Sequence, residues 1–155
     1  MPDTLSTPAP RKREAGEAVV EVAFPASLGM LTCLRGFLVG VLMEHGFDGD
    51  FAMDLQMAAD EAVTNVIEHA YGFDSSRTVN LRLAIRADQV ALLLKDSGKA
   101  FESPELKPLD LASHIRSGRT GGLGRYMMFS VMDSVVYDRR GEGNSLLMVK
   151  KKAAL

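Results

Sequence analysis

Between residues 18 and 24, Val20, Val22 and Phe24 alternate with Val19, Glu21 and Ala23, the two-residue period of a half-buried strand, and Pro25 ends it. The period then changes. Leu28, Leu31, Leu34, Leu38, Val41 and Leu42 recur every three or four residues, which predicts a helix capped by Ser27 and stopped at Gly46. A second helix is expected from an N-cap at Asp50 to about Tyr71, with Leu55, Ala59, Ala62, Val63, Val66 and Ala70 on its core stripe and Gly72 behind it. Alternation returns where Val79, Leu81, Leu83 and Ile85 interleave with Asn80, Arg82, Ala84 and Arg86. A short turn over Ala87, Asp88 and Gln89 and a second apolar run at 90–94 complete an antiparallel hairpin. Residues 96–122 are rich in Gly, Ser, Pro, Lys and Arg, too long for a plain connection and of the kind that forms functional lids. Helical spacing resumes in Leu123, Met127, Met128, Val131 and Met132. A second hairpin follows, 134–138 with 145–150, turning at Gly141 and Gly143. The order β-α-α-β-β-α-β-β contains no internal repeat. It predicts an α+β fold, a two-layer sandwich whose mostly antiparallel mixed sheet is covered on one face by about three helices.

Composition narrows the class. A chain of 155 residues, 46% hydrophobic and 25% charged, has the material for one globular domain and not for two. Residues 1–15, with Pro2, Pro8, Pro10 and the basic run Arg11-Lys12-Arg13, read as a loose tail, which leaves 16–155 as the folded domain. A net charge of −2 supplies no broad positive field for nucleic acid. Cys33 is the single cysteine, so neither an internal disulfide nor a cysteine-based zinc site is available. Arg35 and Glu44 interrupt the best apolar stretch before it reaches the roughly 20 residues of a membrane span. A soluble, cytoplasmic protein is expected, with no membrane contact.

Three stretches carry candidate chemistry. Glu61, Asn65 and Glu68 are spaced four and three residues apart and share one helix stripe. That stripe is either a solvated face or a site at which a carboxylate and an amide oxygen hold Mg²⁺; Glu61 can alternatively polarise an attacking hydroxyl. Asp96-Ser97-Gly98-Lys99 stands at the end of an apolar strand. It is either a turn or a place where Asp96 accepts from an exocyclic amine such as that of adenine, while Gly98 lets the backbone come close. Gly118-Arg119-Thr120-Gly121-Gly122-Leu123-Gly124 opens into a helix, either as a linker or as a loop that turns N–H groups toward phosphate, with Arg119 and Lys99 to neutralise charge. The P-loop and Rossmann patterns are both missing.

Taken together and in order, Glu61-x-x-x-Asn65, Asp96-x-Gly98 and Gly122-x-Gly124 resemble the three nucleotide-binding boxes of the GHKL ATPases. Asp60-Glu61-Ala62-Val63-Thr64-Asn65 with Glu68-His69-Ala70-Tyr71, and Arg119-Thr120-Gly121-Gly122-Leu123-Gly124, resemble the anti-sigma-factor serine/threonine kinases within that superfamily. The resemblance spans about residues 18–150. It implies ATP and Mg²⁺ as ligands, with Asn65 on the metal, Glu61 as catalytic base toward a substrate serine, and Asp96 on adenine. Gly98, Lys99, Arg119, Thr120, Gly121, Gly122, Leu123 and Gly124 would complete the nucleotide site. It also implies a homodimer that partners a sigma factor and an anti-sigma-factor antagonist protein. Two positions depart from the pattern: Arg125 stands where an apolar residue is usual, and Asn144-Ser145 where Gly-Thr is frequent. Other readings are an ATP-binding regulator that only sequesters its partner, the ATP-binding domain of a histidine kinase, or an interaction module without nucleotide.

Overall fold

The structure, a computed structural model, describes residues 16–100, 111–117 and 122–154. Five strands, β1 (Ala18–Pro25), β2 (Thr78–Ile85), β3 (Gln89–Asp96), β4 (Ser134–Arg140) and β5 (Gly143–Lys151), lie in the order β1-β2-β3-β5-β4. Every neighbouring pair is antiparallel, so the sheet is not mixed. The reason lies in the connections. Helices α1 (Met30–Glu44) and α2 (Gly49–Asn65) form a closed excursion that leaves at Pro25 and returns beside it at Thr78, its register partner, so β2 must run back along β1.

Alternation places Val22, Leu81, Leu94, Leu146 and Tyr137 in one cross-strand row, and Val20, Leu83, Leu92, Met148 and Val135 in the next. These rows face the helices. Helix α1 buries Leu31, Leu34, Leu38 and Leu42, and α2 buries Leu55, Ala58, Ala59, Ala62 and Val63. The small alanines let α2 lie close to the sheet while α1 and α4 (Leu123–Val131) flank it. Side chains such as Leu38, Leu55 and Leu92 lose all contact with solvent, each worth about 1.5–3 kcal/mol of transfer free energy. Among the described residues no helix covers the opposite face, and Val136 and Leu147, partners across β4 and β5, stay exposed there.

Several helix ends differ from expectation. Asp48, not Asp50, caps α2: its extended backbone lets the carboxylate accept from the Phe51 N–H at 2.8 Å, whereas Asp50 is already in the first turn. Ser27 contributes its carbonyl to the Met30 N–H at 3.0 Å, and no side chain caps α1. Leu28, Leu123 and Met127 are exposed, off the stripes proposed for them, and α4 buries only Met128. Beyond Asn65 the second helix widens into a π turn, Val66–Ala70, in which the Tyr71 N–H donates to the Val66 carbonyl at 2.9 Å. Gly72 and Phe73, at φ 56° and 63°, then reverse the chain. A short helix α3 (Leu111–Arg116) lies within the stretch expected to be loop. Arg119, Thr120, Gly121 and the N-terminal 1–15 stretch fall outside the described residues. Among the described residues no helix is long and apolar enough to cross a membrane.

Candidate functional site

Where α2 passes over the ends of β3, β5 and β4, a shallow open cleft is lined by Asn65, Val66 and Ala70 from the helix and by Asp96, Tyr137, Asn144 and Ser145 from the sheet. Asn65 and Asp96, from separate sequence stretches, therefore face one space. Glu61 stands one turn before Asn65, and the Asn65 Nδ2 donates to Glu61 Oε1 at 3.3 Å. That bond turns the Asn65 carbonyl oxygen away from the carboxylate. Neither Glu61 nor Glu68 is among the lining residues; Glu61 adjoins the cleft through Asn65, whereas the π turn starting at Val66 breaks the 3.6-residue spacing on which the alignment of Glu68 with Glu61 and Asn65 rested.

The third stretch arrives through α4. Gly122, at φ 80° in the left-handed region that glycine tolerates, turns the chain into the helix without a side-chain cap, so the first-turn N–H groups have no partner within the helix. No acidic side chain occupies that turn. Gly124 lies directly against Glu61: a Cβ there would fall on the Glu61 carboxylate, 2.9 Å from Oε1 and closer to its other atoms. Leu123 is exposed. Arg125 is half-buried, and its charge meets that of Glu61 at Tyr137. Burial pushes the Tyr137 hydroxyl above its ordinary pKa, Arg125 pulls it down and Glu61 pushes it up, which places the three groups in one electrostatic neighbourhood.

The Asp96–Lys99 turn is held on every side. The Gly98 N–H donates to Asp96 Oδ1 at 2.9 Å, and the Lys99 N–H to the Ala70 carbonyl at 2.9 Å. The Ser97 N–H donates to the Tyr71 hydroxyl at 3.1 Å, and that hydroxyl in turn donates to the Thr78 carbonyl at 2.8 Å. Arg77, lying over the Tyr71 ring, donates to the Ser97 carbonyl at 2.8 Å. Gly98 has no room for a Cβ, which would meet the Ala70 carbonyl carbon at 2.6 Å. Lys99 enters this turn through its backbone, and its side chain is exposed.

Among the described residues no cluster of three or more His, Cys, Asp or Glu could hold a metal unaided. One amide oxygen beside a carboxylate, at the edge of an open cleft, instead fits Mg²⁺, which takes few protein ligands and completes its shell with water and phosphate oxygens. Arg77, Tyr137 and Arg139 were not singled out from the sequence, and Tyr71 entered only as the last residue of the Glu68-His69-Ala70-Tyr71 motif. Asn144 stood out only as a departure from a pattern, yet it is the buried polar side chain of the described core. The available signal was its place in the alternation Asn144, Leu146, Met148, which marks it as inward-facing.

A two-layer fold with this cleft belongs to a known class. The histidine kinase-like ATPase domain family matches residues 24–150, and the chain belongs to it. Within it, the chain is a member of the anti-sigma-factor serine/threonine kinase group of the GHKL ATPases. The serine-protein kinase RsbW of Staphylococcus aureus strain JH9 is 32% identical over 145 residues, covering 90% of this chain and 91% of that protein, and the same holds for strain Newman. A solved structure of the RsbU and RsbW domains of Rv1364c from Mycobacterium tuberculosis superposes with a TM-score of 0.63 at 18% identity. That match covers 86% of this chain and 32% of the other, so the chain spans about a third of that protein's length and shares its fold.

Proposed function

We propose that the chain is an ATP- and Mg²⁺-dependent protein serine/threonine kinase that acts as an anti-sigma factor and phosphorylates an antagonist protein. The observation that supports this reading is that Asn65 and Asp96, from separated stretches, line one cleft, while Glu61 is bonded to Asn65 and lies against Gly124 of the third stretch. Asp96 accepts from the amine of the adenine ring. Asn65 offers its amide oxygen to Mg²⁺, which when bound neutralises charge on the phosphates. The open first turn of α4 faces its N–H groups and positive helix end toward phosphate, assisted by Arg119, Thr120 and Gly121. Glu61 takes the proton of the substrate hydroxyl as its oxygen bonds to the γ-phosphorus and the bond to the bridging oxygen of ADP breaks.

The family relationship supports a sigma factor and an antagonist as partners, and the exposed Val136–Leu147 strip on the open sheet face supports pairing of two copies. Residues 16–155 would act as one cytoplasmic domain, with 1–15 as its tail.

The test is a pull-down with and without ATP, followed by mapping of phosphorylated sites on whatever is retained. Glu61→Gln should keep ATP binding and lose about 10²–10⁴-fold in transfer, the usual contribution of a general base. Asn65→Ala should lose Mg²⁺-dependent binding. Full transfer by either variant refutes the role given to that residue. ATP binding with no phosphorylated partner would instead favour a regulator that sequesters without transfer.

A further inference from the structure

Asn144 is 8% exposed and is the buried polar side chain among the described residues, so its amide must be satisfied to be tolerated there. It is satisfied in a way that leaves no choice of orientation. Nδ2 donates to Asp96 Oδ1 at 2.8 Å and to the Lys99 carbonyl at 2.7 Å, while Oδ1 accepts from Arg139 Nη1 at 2.8 Å. Reversing the amide would set its oxygen against two acceptors and its NH₂ against a guanidinium. Sheet register produces the arrangement, because Asp96, Asn144 and Arg139 are direct cross-strand partners on β3, β5 and β4.

The consequence falls on Asp96. Its Oδ1 already accepts from both Gly98 N–H and Asn144 Nδ2, and among the described residues no donor reaches Oδ2. One carboxylate oxygen is committed to the protein and the other is left to the cleft that Asp96 lines. We propose that Asn144 is a positioning residue that sets base specificity: by fixing the Asp96 carboxylate with Oδ2 presented to the cleft, it makes the site select a purine carrying an exocyclic amine. This rests on the nucleotide-binding reading above. A carboxylate anchored by Gly98 alone can rotate, and the ordering would then be charged against ligand binding. The loss is greatest for a ligand whose amine depends on Oδ2. Arg139 acts behind Asn144, holding the amide oxygen and approaching the Gly98 carbonyl at 3.4 Å.

The test compares ATP with purine riboside triphosphate, which lacks the 6-amino group, on the full chain and on Asn144→Ser and Asn144→Asp. The second variant keeps the side-chain volume and replaces the donor by an acceptor. The wild-type protein should prefer ATP by about tenfold or more, the worth of one hydrogen bond to a charged group. In both variants ATP affinity should fall by about that factor while affinity for the amine-free analogue changes by less than about threefold, so the preference disappears. Equal weakening of both nucleotides means that Asn144 only holds the turn together and overturns the proposal, as does an unchanged preference. Failure of the wild-type chain to bind ATP at all would refute the nucleotide site itself, a result separable from either variant outcome. Should Asn144→Ser melt early, Asn144→Asp and Arg139→Gln carry the same comparison.

Discussion

Replacing Gly124 by alanine probes the contact between α4 and Glu61 in a way that separates catalysis from folding. The added Cβ would land on the Glu61 carboxylate. The obstacle is the far end of a half-buried, flexible side chain and not backbone, so Glu61 can swing aside. Doing so gives up the 3.3 Å bond from Asn65, a long and therefore weak one. Against this, alanine is favoured over glycine in a helix by about 0.8–1 kcal/mol. The two effects nearly cancel, and Gly124→Ala should unfold within about 1 kcal/mol of wild type in urea. Transfer from ATP to the retained partner should nevertheless fall by about 10²–10⁴-fold, as for a displaced general base. The double variant with Glu61→Gln should be no slower than the worse single one, because both act through the same carboxylate. Wild-type transfer by Gly124→Ala, or multiplied losses in the double variant, would refute the argument.

Gly98→Ala is the contrasting case. Its Cβ would meet the Ala70 backbone, which is also bonded to Lys99, so a main chain must shift; a loss of about 1–3 kcal/mol is expected by thermal or urea unfolding, together with weaker ATP binding. Asp48→Ala removes the cap of α2 and should cost about 1 kcal/mol, while Asp50→Ala should cost less, a pair that urea unfolding resolves. Leu92→Ala, at a fully buried central-strand position, should lose about 2–5 kcal/mol in the same assay.

Much of the architecture was legible because period and element coincide. The alternation at 79–85 became β2, and the leucine spacing at 31–42 became the inner face of α1. Where signals were degenerate, packing decided. Asp48 and Asp50 are equally good caps by residue type. The clasp of Phe47 on Phe51, with ring centroids 4.4 Å apart and both side chains buried, sets the entry at Asp48. The π turn after Asn65 leaves no mark in residue type, since it records how the helix must widen to bring the Ala70 carbonyl to Lys99.

The amino-acid sequence by itself determined the order of the strands and of the main helices, most of their inward faces, and which short stretches are candidates for nucleotide chemistry, because these depend on neighbours within a few residues. Only the tertiary structure decided that Gly124 stands against Glu61 and that Asn144, 48 residues beyond Asp96, fixes that carboxylate. Such contacts depend on strand order and helix approach, which emerge when the whole core closes and are carried by no single segment.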